Sequence, residues 1–341
     1  MSLHKYEIDV AVLLVFFARP DTFRQVFAQV KKARPSKLFL YQDGPRVGRS
    51  DDILNIEECR KIAEDIDWDC EVHRFYQTEN KGCDPSGYAA HTWAFQNVDK
   101  CIVIEDDIVP SVSFFRFCKE MLDKYENDSR VSMIGGFNLD EITPDIEEDY
   151  FFTSCTTSWG WASWSRVVLN WDPKFSVLDS KEYAGLLSDY IKQKKHMKNF
   201  MTYVEYYKDN NIPCFEPMMM INHYLNSSLM ILPTKNMVNN IGVTGNATHF
   251  GGDINLLPKG YRKIFKMNRY EMNGKIKHPK YIIENVSYKD RSYRIKGWGH
   301  PFVKAYRLVE SSIYLIIRGD FSEMWKNAIE RIAHTIKKRS Y

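Results

Sequence analysis

Residues 101–110 read Cys101-Ile102-Val103-Ile104-Glu105-Asp106-Asp107-Ile108-Val109-Pro110, a short apolar run that stops on three carboxylates. An unbroken apolar run of this length reads as a strand buried on both faces, and open α/β sheets bind ligands outside the carboxyl ends of their strands. Adjacent carboxylates repel one another, so a hard cation such as Mg²⁺ or Mn²⁺, bridging them to a phosphate, would account for the cluster. The competing reading has Asp106 or Asp107 capping the helix expected from Ser111 to Tyr125, with the other carboxylates solvated.

Upstream, the pattern alternates. Val10 to Ala18 reads as a buried strand, and Pro20-Asp21 opens a helix to about Ala33 with apolar Phe23, Val26, Phe27 and Val30 on one side. Lys37 to Gln42 is a second strand, ending at the turn-forming cluster Asp43-Gly44-Pro45-Arg46. A helix from Asp51 to Ile66, a strand from Asp69 to Tyr76 and a helix from Ser86 to Asn97 follow. This alternation predicts an α/β fold with a mostly parallel sheet covered on both faces, and a nucleotide-binding half over residues 1–130.

Downstream, Val131 to Gly136 reads as a strand, followed by the acidic stretch Asp140 to Asp149 and the aromatic loop Trp159-Gly160-Trp161-Ala162-Ser163-Trp164. A helix-rich insertion runs from Lys181 to Asp209, and Pro213 to His249 reads as short strands and turns. Lys259 to His300 is basic and Tyr-rich without a clear period. Val303 to Lys338 carries apolar residues at helical spacing, broken at Gly319-Asp320. The domain reading is therefore 1–258, divided at about 130, plus a basic, partly helical extension over 259–341.

Composition narrows the function classes. The chain has 341 residues, is 44% hydrophobic and 14% aromatic, and so has ample material for a large core. Its net charge is only +3, but residues 259–341 hold 20 Lys+Arg against 7 Asp+Glu, so the basic surface lies in the tail. An amphipathic, basic tail fits either peripheral contact with an anionic membrane or helices packed on the sheet domain; the latter is the commoner use of such helices. Seven cysteines without C-x-x-C spacing argue against a disulfide framework or a zinc knuckle and for a reducing compartment. No secretory signal or membrane helix is visible, so the expected location is cytoplasmic, with possible contact at the inner membrane face. Nucleic acid is not an expected partner, because no recognized motif accompanies the basic residues.

Four segments in order, Phe16-Phe17-Ala18-Arg19-Pro20-Asp21, Gln42-Asp43-Gly44-Pro45-Arg46, Asn80-Lys81-Gly82-Cys83 and Glu105-Asp106-Asp107, together resemble the motifs of nucleotide-sugar-dependent glycosyltransferases of the GT-A fold. The resemblance is closest to bacterial enzymes related to the N-acetylglucosaminyltransferase that starts N-glycan branching, which also carries Glu-Asp-Asp where other GT-A enzymes carry Asp-x-Asp. Gly160-Trp161 follows at a similar distance, and the match spans roughly residues 8–250.

The resemblance implies a Rossmann-like, mostly parallel sheet flanked by helices, a divalent cation (Mn²⁺ or Mg²⁺) and a nucleoside diphosphate sugar donor, with UDP favoured. It implies transfer of a hexose or N-acetylhexosamine to a glycan or lipid-linked glycan, with inversion. Asp107 would be the direct metal ligand, with His249 as a further contact. Glu105 and Asp106 would meet ribose, sugar or metal-bound water, and Asp43 the base or ribose. Arg19 and Arg46 would offset diphosphate charge, while Asn80, Lys81 and Gly82 would form the loop near the donor. Trp161, with Trp159 and Trp164, would offer an aromatic face to a sugar, although strand spacing equally makes Trp164 a core residue. Glu216, in Phe215-Glu216-Pro217, matches the catalytic base, departing from the family's usual Asp and flanking Trp; Asp140, Glu141 and Asp172 are alternatives. Two other classes stay open. A nucleotidyltransferase normally has a Gly- and Lys/Arg-rich loop after the first strand, which is missing here, and a non-catalytic carbohydrate-binding protein would use the Trp loop or the basic tail.

Overall fold

The computed structural model describes residues 4–243, 259–296, 303–317 and 319. Its first half is a strict alternation: β1 (Ile8–Phe16), α1 (Pro20–Ala33), β2 (Pro35–Gln42), α2 (Ser50–Ala63), β3 (Glu71–Tyr76), α3 (Cys83–Asn97) and β4 (Lys100–Glu105). Pro20 starts α1 where a missing N–H costs nothing, and Phe23, Val26, Phe27 and Val30 form its buried stripe. The central strand β1 buries Val12, Leu13 and Leu14 between layers, so truncating Leu13 to Ala would cost about 2–5 kcal/mol.

β5 (Ile108–Pro110), α4 (Val112–Lys124), β6 (Val131–Gly135), β7 (Tyr150–Thr153), β8 (Trp161–Trp164), α5 (Ser165–Val168), α6 (Lys181–Tyr190), α7 (Lys194–Asp209), α8 (Phe215–Leu225), β9 (Leu229–Pro233) and β10 (Val238–Asn240) complete the main body. Eight strands form one sheet in the order β3-β2-β1-β4-β8-β6-β9-β7. Only β8 and β7 run against the common direction. The result is the mostly parallel, helix-flanked α/β sheet expected of a GT-A fold.

The strand order matters for function. β2 and β3 extend the sheet on one side of β1, and β4 returns to its other side, so the order reverses between β1 and β4. Ligand crevices form at such a switch point, outside the carboxyl ends of the strands. β5 and β10 pair separately as an antiparallel ribbon, which carries residues 241–243 to the end of β4.

The region after residue 258 supplies α9 (Lys259–Ile264), α10 (Val286–Ile295) and α11 (Val303–Ile317). Residues 265–295 pack on the main body. Glu271 accepts from the Val112 and Ser113 amides at 3.0 and 2.8 Å, and so caps α4, a role that neither Asp106 nor Asp107 performs. Glu284 accepts from the Ser154 amide, and Arg291 pairs with Asp140.

One local expectation fails. Within Pro213 to His249, read as strands and turns, Phe215 to Leu225 is helical. Pro217 does not oppose the helix. In the first turn of a helix it breaks no intrahelical bond, and Met218, Ile221 and Tyr224 behind it are buried at helical spacing.

Candidate active site

The carboxylates stand where β4 stops, in register with the end of β1: Glu105 pairs with Val15. Three residues past β1, Arg19 reaches across the switch point and contacts both aspartates, with Asp106 as one partner and Asp107 Oδ2 at 3.0 Å as the other. The Phe17 amide adds a bond to Asp106 Oδ2 at 3.0 Å. Burial works against the Arg19 charge, but Asp106 and Asp107 outweigh it and raise its pKa, so the guanidinium stays cationic. Arg19 thus supplies counter-charge to the cluster from within the chain.

Glu105 is different. Burial pushes its carboxyl well above the ordinary range, and Asp107, Glu216 and Asp106 push it further. Asp107 also rises by burial, with Arg19 opposing and Asp106 adding. Its Oδ1 is buried without a hydrogen-bond partner among the described residues. Its backbone carbonyl accepts from the Ile241 amide at 2.9 Å, so the ribbon brings Gly242 against the carboxylate.

Among the described residues no group of three His, Cys, Asp or Glu is arranged to hold a metal ion. A phosphate-bound Mg²⁺ or Mn²⁺, however, takes only one or two carboxylates from a protein. The unpartnered Oδ1 of Asp107 fits that requirement. His249 lies outside the described residues.

On the other side of the crevice, Asp43 follows β2. Its Oδ1 accepts from the amides of Gly44 and Lys81, both at 2.9 Å, and its Oδ2 from Asn80 Nδ2 at 3.0 Å and the Gly82 amide at 3.1 Å. Instead of standing open for a base or ribose, this carboxylate pins the Asn80-Lys81-Gly82 loop. Gly82 has φ +86°, a conformation that favours glycine, and leads into α3. Gly44 lies so close to Glu79 that an added Cβ would sit 2.4 Å from its backbone. Lys81 is exposed beside Glu79.

Arg46 is committed elsewhere. It grips Asp52 through Nε and Nη2, both at 2.7 Å, and lies over the Phe17 ring. That bidentate pair fastens the start of α2, so Arg46, like Arg19, is already engaged by carboxylates. Trp161 also departs from the sequence reading. It is fully buried on β8, packed against His91, Phe95 and Trp171, so its ring offers no face to a sugar. β8 is covered on both faces, so Trp161 and Trp164, which point to opposite sides of the sheet, are both core residues. Only Trp159 of the three stays partly exposed.

Glu216 sits in the first turn of α8. Ser158 donates to its Oε1 at 2.8 Å and Tyr203 to its Oε2 at 3.0 Å. It therefore faces a cavity lined also by Trp159 and Met219, while its charge reaches Glu105. Ser158 and Tyr203 were not singled out in the sequence, because nothing in their spacing marks a partner brought in from another element. The alternatives for the base are engaged elsewhere: Asp140 with Arg291, Glu141 with Asn268, and Asp172 with Ser176.

No family model matches the chain, and no curated protein matches it. Among solved structures it is similar to the crystal structure of mouse xyloside xylosyltransferase 1 in its apo form, at 10% identity, over 65% of this chain and 84% of that one, with a TM-score of 0.37.

Proposed function

We propose that this chain is a metal-dependent glycosyltransferase that moves a hexose or N-acetylhexosamine from a nucleoside diphosphate sugar, UDP favoured, to a glycan or lipid-linked acceptor with inversion. The observation that carries the reading is the Glu105-Asp106-Asp107 cluster at the end of β4, bound by Arg19 across the β1/β4 switch point.

The parts have complementary tasks. The loop held by Asp43 lets backbone approach the donor at Gly82. Arg19 offers positive charge to the diphosphate, and Asp107 would hold the cation through Oδ1. When bound, the cation would act as a Lewis acid on the departing nucleoside diphosphate. Glu216, oriented by Ser158 and Tyr203, takes the proton of the acceptor hydroxyl. The freed oxygen then forms the new bond to the anomeric carbon as the bond to the diphosphate breaks. Asp43 and Arg46 serve this reading mainly by holding loops.

A peripheral, cytoplasmic membrane contact belongs to the same proposal. No described helix is long and apolar enough to cross a membrane, yet α11 exposes Tyr306, Val309, Ile313 and Ile316 in a tail rich in Lys and Arg. Unchanged partitioning onto anionic vesicles after deleting residues 303–341 would remove this part.

The deciding experiment is a thermal-shift series with UDP-, GDP-, dTDP- and CMP-sugars, each with and without Mn²⁺, on the parent protein and Asp107→Asn. A Mn²⁺-dependent shift with one nucleotide, lost in the variant, is expected. A folded protein that responds to no donor would overturn the reading.

A further inference from the structure

The cavity beside Glu216 has a volume of about 560 Å³. Its walls are mostly apolar and include Phe137, Met219, Met220, Leu232 and Ile264 with the partly exposed Trp159. Protein interiors leave few voids larger than a water molecule, so a space of this size is not packing slack. It falls within the range of ligand pockets, which are lined chiefly by apolar groups with a few polar groups fixing orientation. Here Ser158, Tyr203 and Glu216 form one such polar group, and Thr157, Asn199 and Lys296 stand elsewhere in the lining.

That distribution says which acceptor fits. A bare sugar, with a hydroxyl on nearly every carbon, would set part of its hydrogen-bonding surface against the apolar walls, at a cost in affinity. Methionine side chains adjust to irregular apolar partners, and Met219 and Met220 stand side by side in the lining. Trp159, packed on Phe137 at 4.6 Å and on Phe265 at 5.4 Å, gives the wall a fixed aromatic surface.

We propose that the acceptor is amphiphilic, with an apolar aglycone filling this cavity and a hydroxyl-bearing end held at Glu216. The inference rests on the transferase reading and narrows its acceptor class. An alkyl or prenyl chain and an aryl group share the required chemistry, and the test separates them.

The full-length protein is titrated with methyl, phenyl and octyl glycosides of glucose, galactose and N-acetylglucosamine, the octyl compounds below their micellar concentration. Binding is followed by calorimetry and tryptophan fluorescence, and donor turnover is measured in parallel. For at least one sugar, the phenyl or octyl glycoside is expected to bind at least about tenfold more tightly than the methyl glycoside. Met220→Trp, which narrows the cavity, is expected to weaken that preference. A preference for octyl over phenyl identifies a chain, and the reverse an aryl group. Equal binding of all three overturns the proposal, as does an undiminished preference in a folded Met220→Trp; the comparison on the parent protein decides by itself if the variant does not fold. Tight apolar binding with no donor turned over would overturn the acceptor role and the transferase reading, whereas turnover with equal glycoside binding would overturn the amphiphilic acceptor alone.

Discussion

The Gly82 amide donates to Asp43 Oδ2 at 3.1 Å, which ties the loop before α3 to the end of β2. Three further donors converge on the same carboxylate. Asp43→Ala would orphan the three backbone amides in a partly buried setting and leave Asn80 Nδ2 only its bond to the Gly44 carbonyl, so a loss of about 3 kcal/mol in urea unfolding is expected. Faster hydrogen exchange at the Lys81 and Gly82 amides would localize the damage. A destabilization spread evenly over the domain would show that Asp43 does not act through this loop.

Gly242 has no room for a side chain. A Cβ there would lie 2.0 Å from Asp107 Oδ2, so Gly242→Ala must displace the carboxylate that Arg19 holds. Overpacking of this kind costs about 1–3 kcal/mol. The variant is expected to fold with a lower Tm and to lose the donor-dependent thermal shift. An unchanged shift would mean that the position of Asp107 does not matter for donor binding.

Much of this site was legible in the sequence, for a physical reason. Strand, turn and glycine signals are local, so the chain ends of β1, β2 and β4 and the loop at Gly82 could be placed from neighbouring residues alone. What side chains do on arrival depends on partners far away in sequence. Asp43 spends its oxygens on a loop near residue 81, Arg46 closes on Asp52, and Glu271 caps α4 from more than 150 residues away. Trp161 illustrates the limit most clearly. A tryptophan beside a glycine signals a sugar platform and a core strand equally well, and only the position of β8 between β4 and β6 decides for the core.

His91 makes the stability of the site region sensitive to acid. Its ring is fully buried against Trp161, Trp171 and Phe215, and neither nitrogen has a partner among the described residues. Burial lowers its pKa from 6.5 to about 3. The unfolded chain therefore takes up a proton that the folded one refuses, and stability falls as pH drops below about 6.5, by on the order of 1.4 kcal/mol per pH unit, until about pH 3. His91→Phe should remove that share. Urea midpoints at pH 7, 5.5 and 4.5 are expected to diverge in favour of the variant as pH falls, and parallel curves would refute the assignment.

Glu216 carries the sharpest prediction of the proposed mechanism. Asp140 is held by Arg291, Glu141 by Asn268 and Tyr270, and Asp172 by Ser176, and none of the three lines the cavity that Glu216 faces. Glu216→Gln preserves size and an acceptor oxygen but not the capacity to take a proton. Turnover is expected to fall by about 10²–10⁴-fold, with the donor-dependent thermal shift retained, since the loss lies in proton transfer and not in donor binding. Tyr203→Phe removes one of the two donors that orient the carboxylate and should lower kcat by a smaller factor. Ordinary turnover in Glu216→Gln would shift the role of base to a group outside this cavity, and with it the reading of the cavity as the acceptor side.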